Sequence, residues 1–295
     1  MPALLRLARI KQWAKNILVF AAFLFSGRVL DPSAWKQVLI AFFAFGLVSS
    51  ACYIFNDLAD IERDRQHPTK KNRPLASGAV APSTGLAMGV VLLLAGLALG
   101  FADDKWVGTV LVAYGLMQVA YNLWVKAVPV TDVFWIATGF VLRAAVGAQA
   151  IHVPISGWLL YCTAAFALML GFAKRRHEFV LQGEECDQSR ASLVHYTLGT
   201  LNMYVGIFSG MAAMSYSIYC VSSATAHDYP GILLTAPFVI YAISRYVLLV
   251  FSQNEGGEPA EILLHDRHIL FSVIGFLLAA AVALKGFAVP IVGAG

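Results

Sequence analysis

The fold class that the sequence predicts is all-α: a polytopic membrane protein built as one bundle of nine transmembrane helices over residues 1–295. Three observations predict it. Apolar residues make up 59% of the chain and charged residues only 13%, where an ordinary soluble domain carries about 25% charge. The mean hydropathy is +0.71, and the apolar residues gather into runs near the roughly 20 residues that a helix needs to cross a bilayer. The long charged loops, 56–83, 174–199 and 252–267, all fall on one side of the membrane when the runs are threaded in order.

The nine runs are 13–30, 36–55, 84–101, 106–124, 132–151, 157–173, 200–222, 231–251 and 268–287. The first follows Arg6, Arg9, Lys11 and Lys15 and lacks a small-residue cleavage site, so it reads as a retained helix. It opens at KQWAKN, where Lys15 and Asn16 are either ordinary interfacial residues or substrate contacts. The connections near 31–33 and 102–105 are turns. The fourth run ends in YNLWVKAVPVTD, which places Tyr121, Lys126 and Asp132 around Pro129; the lysine and aspartate either pair or reach a phosphate. Arg143 lies within the fifth run, where an ionised group is costly unless it faces a polar cavity or a partner, so it marks function or a buried pair with a carboxylate.

The sixth run ends in LGFAKRRHEFVLQGEE, where Lys174, Arg175 and Glu178 share a helical face and Lys174 can pair with Glu178. This basic cluster either binds phosphate or enforces topology and meets lipid headgroups. The last long loop, QNEGGEPAEILLHDRH, has Gly256 and Gly257 as hinges of a lid. Beside it Arg245, Asp266 and Arg267 close over a site or pair among themselves.

Charge sets the orientation. With the N-terminus in the cytoplasm, the outer side keeps only Arg28, Lys36, Lys105, Arg143 and Lys285 of the 21 lysines and arginines. The expected placement is therefore the bacterial inner membrane, N-terminus cytoplasmic and C-terminus periplasmic. A net charge of +4 does not suggest a nucleic-acid partner. Cys52, Cys162, Cys186 and Cys220 are scattered without CxxC spacing, which indicates neither a zinc site nor a disulfide framework.

The chemical site is the stretch 52–78, CYIFNDLADIERDRQHPTKKNRPLASG. If the helix continues through 55–64, Asp57, Asp60 and Asp64 fall at i, i+3 and i+7 and share one face. Carboxylates on one stripe repel unless a cation sits among them. Hard oxygen ligands suit Mg²⁺, which takes one or two protein carboxylates alongside substrate phosphates. A magnesium pyrophosphate is the expected ligand. Glu62 lies on another face, and Asn56 can bond a phosphate oxygen or orient a carboxylate. Lys70, Lys71 and Arg73 then follow in a loop broken by Pro68 and Pro74, placed to clamp phosphate oxygens. The competing reading is a solvated loop of mixed charge.

The segment NDLADIERDRQHPTKKNRP, an NDxxD ending the second helix followed by D-R-x-H-P-x-K-x-x-R-P, resembles the UbiA superfamily of intramembrane prenyltransferases. With KQWAKN, YNLWVKAVPVTD, GFVLRAAVGA, GFAKRRHE, RYVLL and GEPAEILLHDR, the resemblance narrows to decaprenyl-phosphate phosphoribosyltransferases over essentially the full length. It implies a UbiA-like bundle with its active site at the cytoplasmic face. The implied reaction moves 5-phosphoribosyl from phosphoribosyl pyrophosphate to a polyprenyl phosphate, releasing pyrophosphate. Mg²⁺ would rest on Asp57, Asp60 and Asp64, and Lys174 and Arg175 would serve catalysis. Lys15, Asn16, Asn56, Lys70, Arg73, Tyr121, Lys126, Asp132, Arg143, Glu178, Arg245, Asp266 and Arg267 would bind substrate.

Prenyl-diphosphate users of the superfamily carry a second aspartate-rich motif after the sixth helix, where this chain has Lys174, Arg175, Arg176 and Glu178. The basic replacement favours neutralising a second phosphate-bearing substrate and disfavours the rival reaction, prenylation of an aromatic acceptor. A lipid-phosphate transporter is the other rival; charge gathered at one membrane face rather than the midplane argues against it. The membrane helices preclude the doubly wound sheet of soluble phosphoribosyltransferases. The bilayer is an implied partner, and a second copy of the chain is a candidate one.

Overall fold

The computed structural model describes residues 2–67, 70–182, 191–253, 256–257, 262 and 265–286, and every regular element among them is helical. Helices start where side chains satisfy the first-turn N–H groups that no intrahelical carbonyl can reach. Asp31 accepts from the Ser33 amide at 2.8 Å, with Pro32 at the first helical position, and opens a 28-residue helix. Asp104 accepts from the Trp106 amide at 2.7 Å, and Thr197 and Thr200 cap each other reciprocally.

The chain runs α1 (Ala3–Leu7), a 3₁₀ stretch (Ile10–Phe20), α2 (Ala21–Leu24), α3 (Pro32–Ala59), α4 (Ile61–Gln66), α5 (Pro82–Asp103) and α6 (Lys105–Leu123). It continues through α7 (Thr131–Ala150), α8 (Gly157–Gln182), α9 (Leu198–Ser222), α10 (Ala224–Asp228), α11 (Ala236–Ser252) and α12 (Arg267–Leu284). Among the described residues eight helical segments are long and apolar enough to cross a membrane; the seventh is a 3₁₀ turn at Pro230 running into α11.

The predicted ninth, at 13–30, departs from a regular α-helix: its residues form the 3₁₀ stretch and α2. Tertiary anchors account for the tighter winding. Trp13 lies against Gly46, where a Cβ would come within 2.9 Å of the indole, and its Nε1 donates to Ser50 Oγ at 2.9 Å. Further along, the Val19 carbonyl presses on Gly147, a position that has no room for a side chain.

Two compact units divide the chain: residues 1–124 with 142–155, and residues 125–141 with 156–295. In the first, the buried residues of α5 are Gly85, Gly89, Gly96 and Gly100, which recur on one face. A Cβ on Gly96 would sit 2.9 Å from the Ala44 carbonyl oxygen, so α3 and α5 meet nearly backbone to backbone. Lipid is as apolar as leucine, and such close approach is what holds helices together in it. In the second unit, Phe172 of α8 stacks on Phe208 and Tyr204 of α9 at centroid distances of 5.2 and 4.6 Å. Ile243, Tyr246 and Leu249 of α11 and Ile269 of α12 complete that core.

Candidate active site

The acidic motif sits where α3 ends. The expected continuous helix over 55–64 is interrupted at Asp60, whose φ of −102° and ψ of 12° close α3 before α4 begins. The i→i−4 hydrogen bonds nevertheless run through it, Asp60 N to Asn56 O at 3.0 Å and Asp64 N to Asp60 O at 2.8 Å. Asp57 and Asp64 therefore stay on one side, and both are buried, at 2% and 3% exposure. Arg73 joins them: its Nη1 donates to Asp64 Oδ2 at 2.6 Å and to Asp57 Oδ1 at 3.1 Å. Asp60 and Asn56 are half-buried. Glu62 is exposed and pairs with Arg65 at 2.6 Å, away from this face. No group of three His, Cys, Asp or Glu disposed to hold a metal occurs among the described residues.

Sequence reasoning missed Arg9. One face of α3 carries Gly46, Ser50, Tyr53 and Asp57, and it clasps the start of the chain residue by residue. Trp13 covers Gly46, and Ser50 Oγ donates to the Ala8 carbonyl at 2.6 Å. The Arg9 guanidinium lies 5.0 Å above the Tyr53 ring and grips both oxygens of Asp57, at 2.5 and 2.8 Å. Arg9 does this from φ 50° and ψ 43°, a left-handed backbone uncommon outside glycine. Nothing in a one-letter sequence announces that turn; the available signal was an arginine four residues ahead of Trp13.

Around Asp57 the basic loop is partly tied down. Arg6 donates to the Asn72 carbonyl at 2.8 Å. Burial, with Lys70 beside it, holds the His67 imidazole below its usual pKa. Lys70 is half-buried and Lys71 exposed, while Pro68 and Thr69 lie outside the described residues.

Arg143 is 4% exposed. Its Nε donates to Asn16 Oδ1 at 2.9 Å and its Nη2 to Tyr114 Oη at 3.1 Å, and the guanidinium lies 4.6 Å over the Phe45 ring. Asn16 is wholly buried, and its Nδ2 has no partner among the described residues. The pair thus forms an internal polar node of the first unit. Lys15 and Tyr121 are half-buried.

The second unit holds a second charged cluster, at the end of α8. Arg175 is 1% exposed; its Nε donates to Asp132 Oδ2 and its Nη1 to Glu178 Oε2, both at 2.9 Å. Asp132 is wholly buried in the first turn of α7, where the helix dipole favours a negative charge, and Ser192 Oγ also donates to it at 3.3 Å. Just before it, Val130 holds φ 65° and donates its N–H to Tyr196 Oη at 2.5 Å. Arg176, one residue and about 100° further round the helix, turns to Asn202 and to the Val250 carbonyl at the end of α11, both at 2.8 Å. Lys126, Lys174 and Glu178 are half-buried.

Of the loop expected to form a lid, the two hinge glycines, Gly256 and Gly257, are described. A Cβ on Gly256 would sit 3.0 Å from the Ala173 carbonyl and one on Gly257 2.6 Å from His177 Nε2, so these glycines permit close packing on α8. Residues 254–255 and 258–261 of that loop, and 183–190 with Cys186 and Arg190, lie outside the described residues. Arg245 pairs with Asp266 at 2.8 Å, Asp266 caps α12 through the Ile269 amide at 2.9 Å, and Arg267 is exposed. The Arg245 hydrogen bond pulls the Asp266 carboxyl below its ordinary pKa. The described cysteines, Cys52, Cys162 and Cys220, are free thiols.

An all-helical, multi-span chain with a charged motif closing its first long helix defines a class of membrane-embedded proteins. The chain belongs to the UbiA prenyltransferase family, whose model matches residues 17–265. It is 32% identical over 288 residues to the decaprenyl-phosphate phosphoribosyltransferase of Corynebacterium glutamicum, covering 95% of this chain and 86% of that protein. The Mycolicibacterium smegmatis protein of the same name is also 32% identical, over 91% of this chain and 88% of its own. In fold, the chain matches a UbiA homolog from Archaeoglobus fulgidus, solved with GPP and Mg²⁺, at a TM-score of 0.74. That match covers 96% of this chain and 99% of the other at 15% identity. The protein is therefore a multi-pass membrane protein of UbiA fold.

Proposed function

We propose that this chain transfers the 5-phosphoribosyl group of phosphoribosyl pyrophosphate to a polyprenyl, decaprenyl-like phosphate and releases pyrophosphate. The observation that carries the reading is the 32% identity, sustained over 95% of the chain, to an enzyme of that name. The residues support it. Two buried carboxylates, Asp57 and Asp64, converge on one guanidinium. A pair of buried carboxylates already organised about positive charge, that of Arg73 on both and of Arg9 on Asp57, is a donor set suited to Mg²⁺, which needs only one or two protein carboxylates. Of the three aspartates expected to hold the ion, Asp57, Asp60 and Asp64, the two that converge, Asp57 and Asp64, would be its protein ligands. When bound, it supplies charge stabilisation for the leaving pyrophosphate.

In the reaction the bond from ribose C1 to the pyrophosphate oxygen breaks and one from C1 to the lipid phosphate oxygen forms. The attacking oxygen is already anionic, so the chain's task is to position and neutralise phosphates. We assign Arg73, Lys70 and Asn56 to the pyrophosphate, and Lys174 and Lys126 to the phosphate of the second substrate. Arg175, divided between two carboxylates, acts by positioning Asp132 and Glu178. The positive-inside bias supports a site facing the cytoplasm of a bacterial inner membrane, with the N-terminus on that side.

The test is turnover by detergent-purified protein with Mg²⁺, phosphoribosyl pyrophosphate and a polyprenyl monophosphate, following pyrophosphate release and lipid mass. A phosphoribosylated lipid is expected, with Asp57→Ala lowering its formation by roughly 100-fold or more. No product here, together with prenylation of an aromatic acid when a prenyl diphosphate is supplied, would overturn the reading.

A further inference from the structure

Arg9 has no place in the proposed chemistry, yet it makes the tightest contact to the residue on which the proposed metal site depends. Both oxygens of Asp57 are engaged by it, at 2.5 and 2.8 Å, and one of them also by Arg73 at 3.1 Å. A dication on the same oxygens would stand against two guanidinium charges, so carboxylate occupancy by arginine and by metal are competing states. The competition is winnable because these arginines keep 23% and 27% of their side-chain surface exposed. Arg9 also holds φ 50°, a conformation that persists in a non-glycine residue only where its surroundings enforce it.

Resting on the reading of Asp57 as a metal ligand, we infer that Arg9 is a positioning residue that couples metal to pyrophosphate by exchanging partners. Without ligand its guanidinium neutralises Asp57. When metal pyrophosphate arrives, the carboxylate passes to the cation and the guanidinium passes to a phosphate oxygen, which matches its fork as well as a carboxylate does. No covalent bond changes, and charge stays balanced throughout. Divalent metal alone binds weakly, because it must leave a guanidinium without its carboxylate. Metal and pyrophosphate together bind cooperatively, because each relieves the cost of the other.

The exchange is tested by Mn²⁺ binding to the detergent-purified full chain, read by electron paramagnetic resonance with and without inorganic pyrophosphate. The wild type is expected to bind Mn²⁺ at least about fivefold more tightly when pyrophosphate is present. Arg9→Gln should tighten Mn²⁺ alone by roughly tenfold, about 1.4 kcal/mol, and bring the coupling factor close to one. Arg9→Lys keeps the charge but not the fork and should fall between them. If Arg9→Gln leaves both Mn²⁺ affinity and coupling as in wild type, Arg9 is only a structural tie and the inference fails. Asp57→Asn separates that failure from a deeper one. If Asp57→Asn leaves Mn²⁺ binding intact, or no form of the protein binds Mn²⁺, the metal reading itself falls.

Discussion

The cluster on Asp57 and the cluster on Asp132 contain the same ingredients, aspartates shared with arginines at the ends of long helices, and differ in their access to water. Arg9 and Arg73 keep about a quarter of their side-chain surface exposed, at 23% and 27%. Arg175 keeps 1% and Asp132 none. A guanidinium at the surface that loses its carboxylate turns to solvent at little cost. One sealed in the interior has nowhere to turn, and removing one of its carboxylates, as Asp132 beside Glu178, leaves its charge under-compensated, at up to about 3–5 kcal/mol. The same ion pair is therefore exchangeable in one unit and structural in the other.

The largest test of that contrast is Asp132→Ala, expected to destabilise the protein by up to about 3–5 kcal/mol in unfolding measurements in detergent. Replacing both partners, Asp132→Leu with Arg175→Met, should return most of the loss. A milder effect is expected from Tyr196→Phe. It takes the acceptor from the Val130 amide that leads into Asp132, and should cost about 1–2 kcal/mol. Arg9→Ala should cost less than about 1 kcal/mol, because Arg73 continues to hold Asp57. A cost equal to that of Asp132→Ala would erase the distinction.

The smallest expected effect is acid-dependent. The Asp266 carboxyl, lowered by Arg245, is charged in the folded state below the pH at which the unfolded chain protonates, near 3.9. Its contribution is present above that pH and is lost as pH falls further, through the lowered folded value. Asp266→Asn should therefore remove part of the acid limb of the melting temperature against pH, and leave its shape near neutrality unchanged.

What could be read from sequence divides along a physical line. Charge in an apolar chain is costly wherever it lies, so Asp57, Asp64, Arg73, Arg143 and the 174–178 cluster stood out. The spans were legible for the converse reason, and the chain is all-helical with a UbiA fold as expected. Partners were not legible. Arg175 reads as a phosphate grip until Asp132, 43 residues away, is seen to hold it. Arg143 finds Asn16 across 127 residues. Both are long-range contacts that no local spacing encodes. The first span was misjudged in regularity because Trp13 and Val19 obey tertiary contacts that override the apolar pattern. The glycine seam of α5 went unread, although its small residues recur four apart at 85 and 89 and again at 96 and 100.

Arg9 lies 48 residues before Asp57, and Asp132 lies 43 residues before Arg175. A ribosome adding about 5–20 residues per second therefore delivers the first unit's cation ahead of its anion, and the second unit's anion ahead of its cation. For roughly 2–9 seconds the newborn chain carries Asp132 without the arginine that will neutralise it. Through that interval the aspartate must stay hydrated. Both clusters thus wait on synthesis, the first with a cation in hand and the second with an anion.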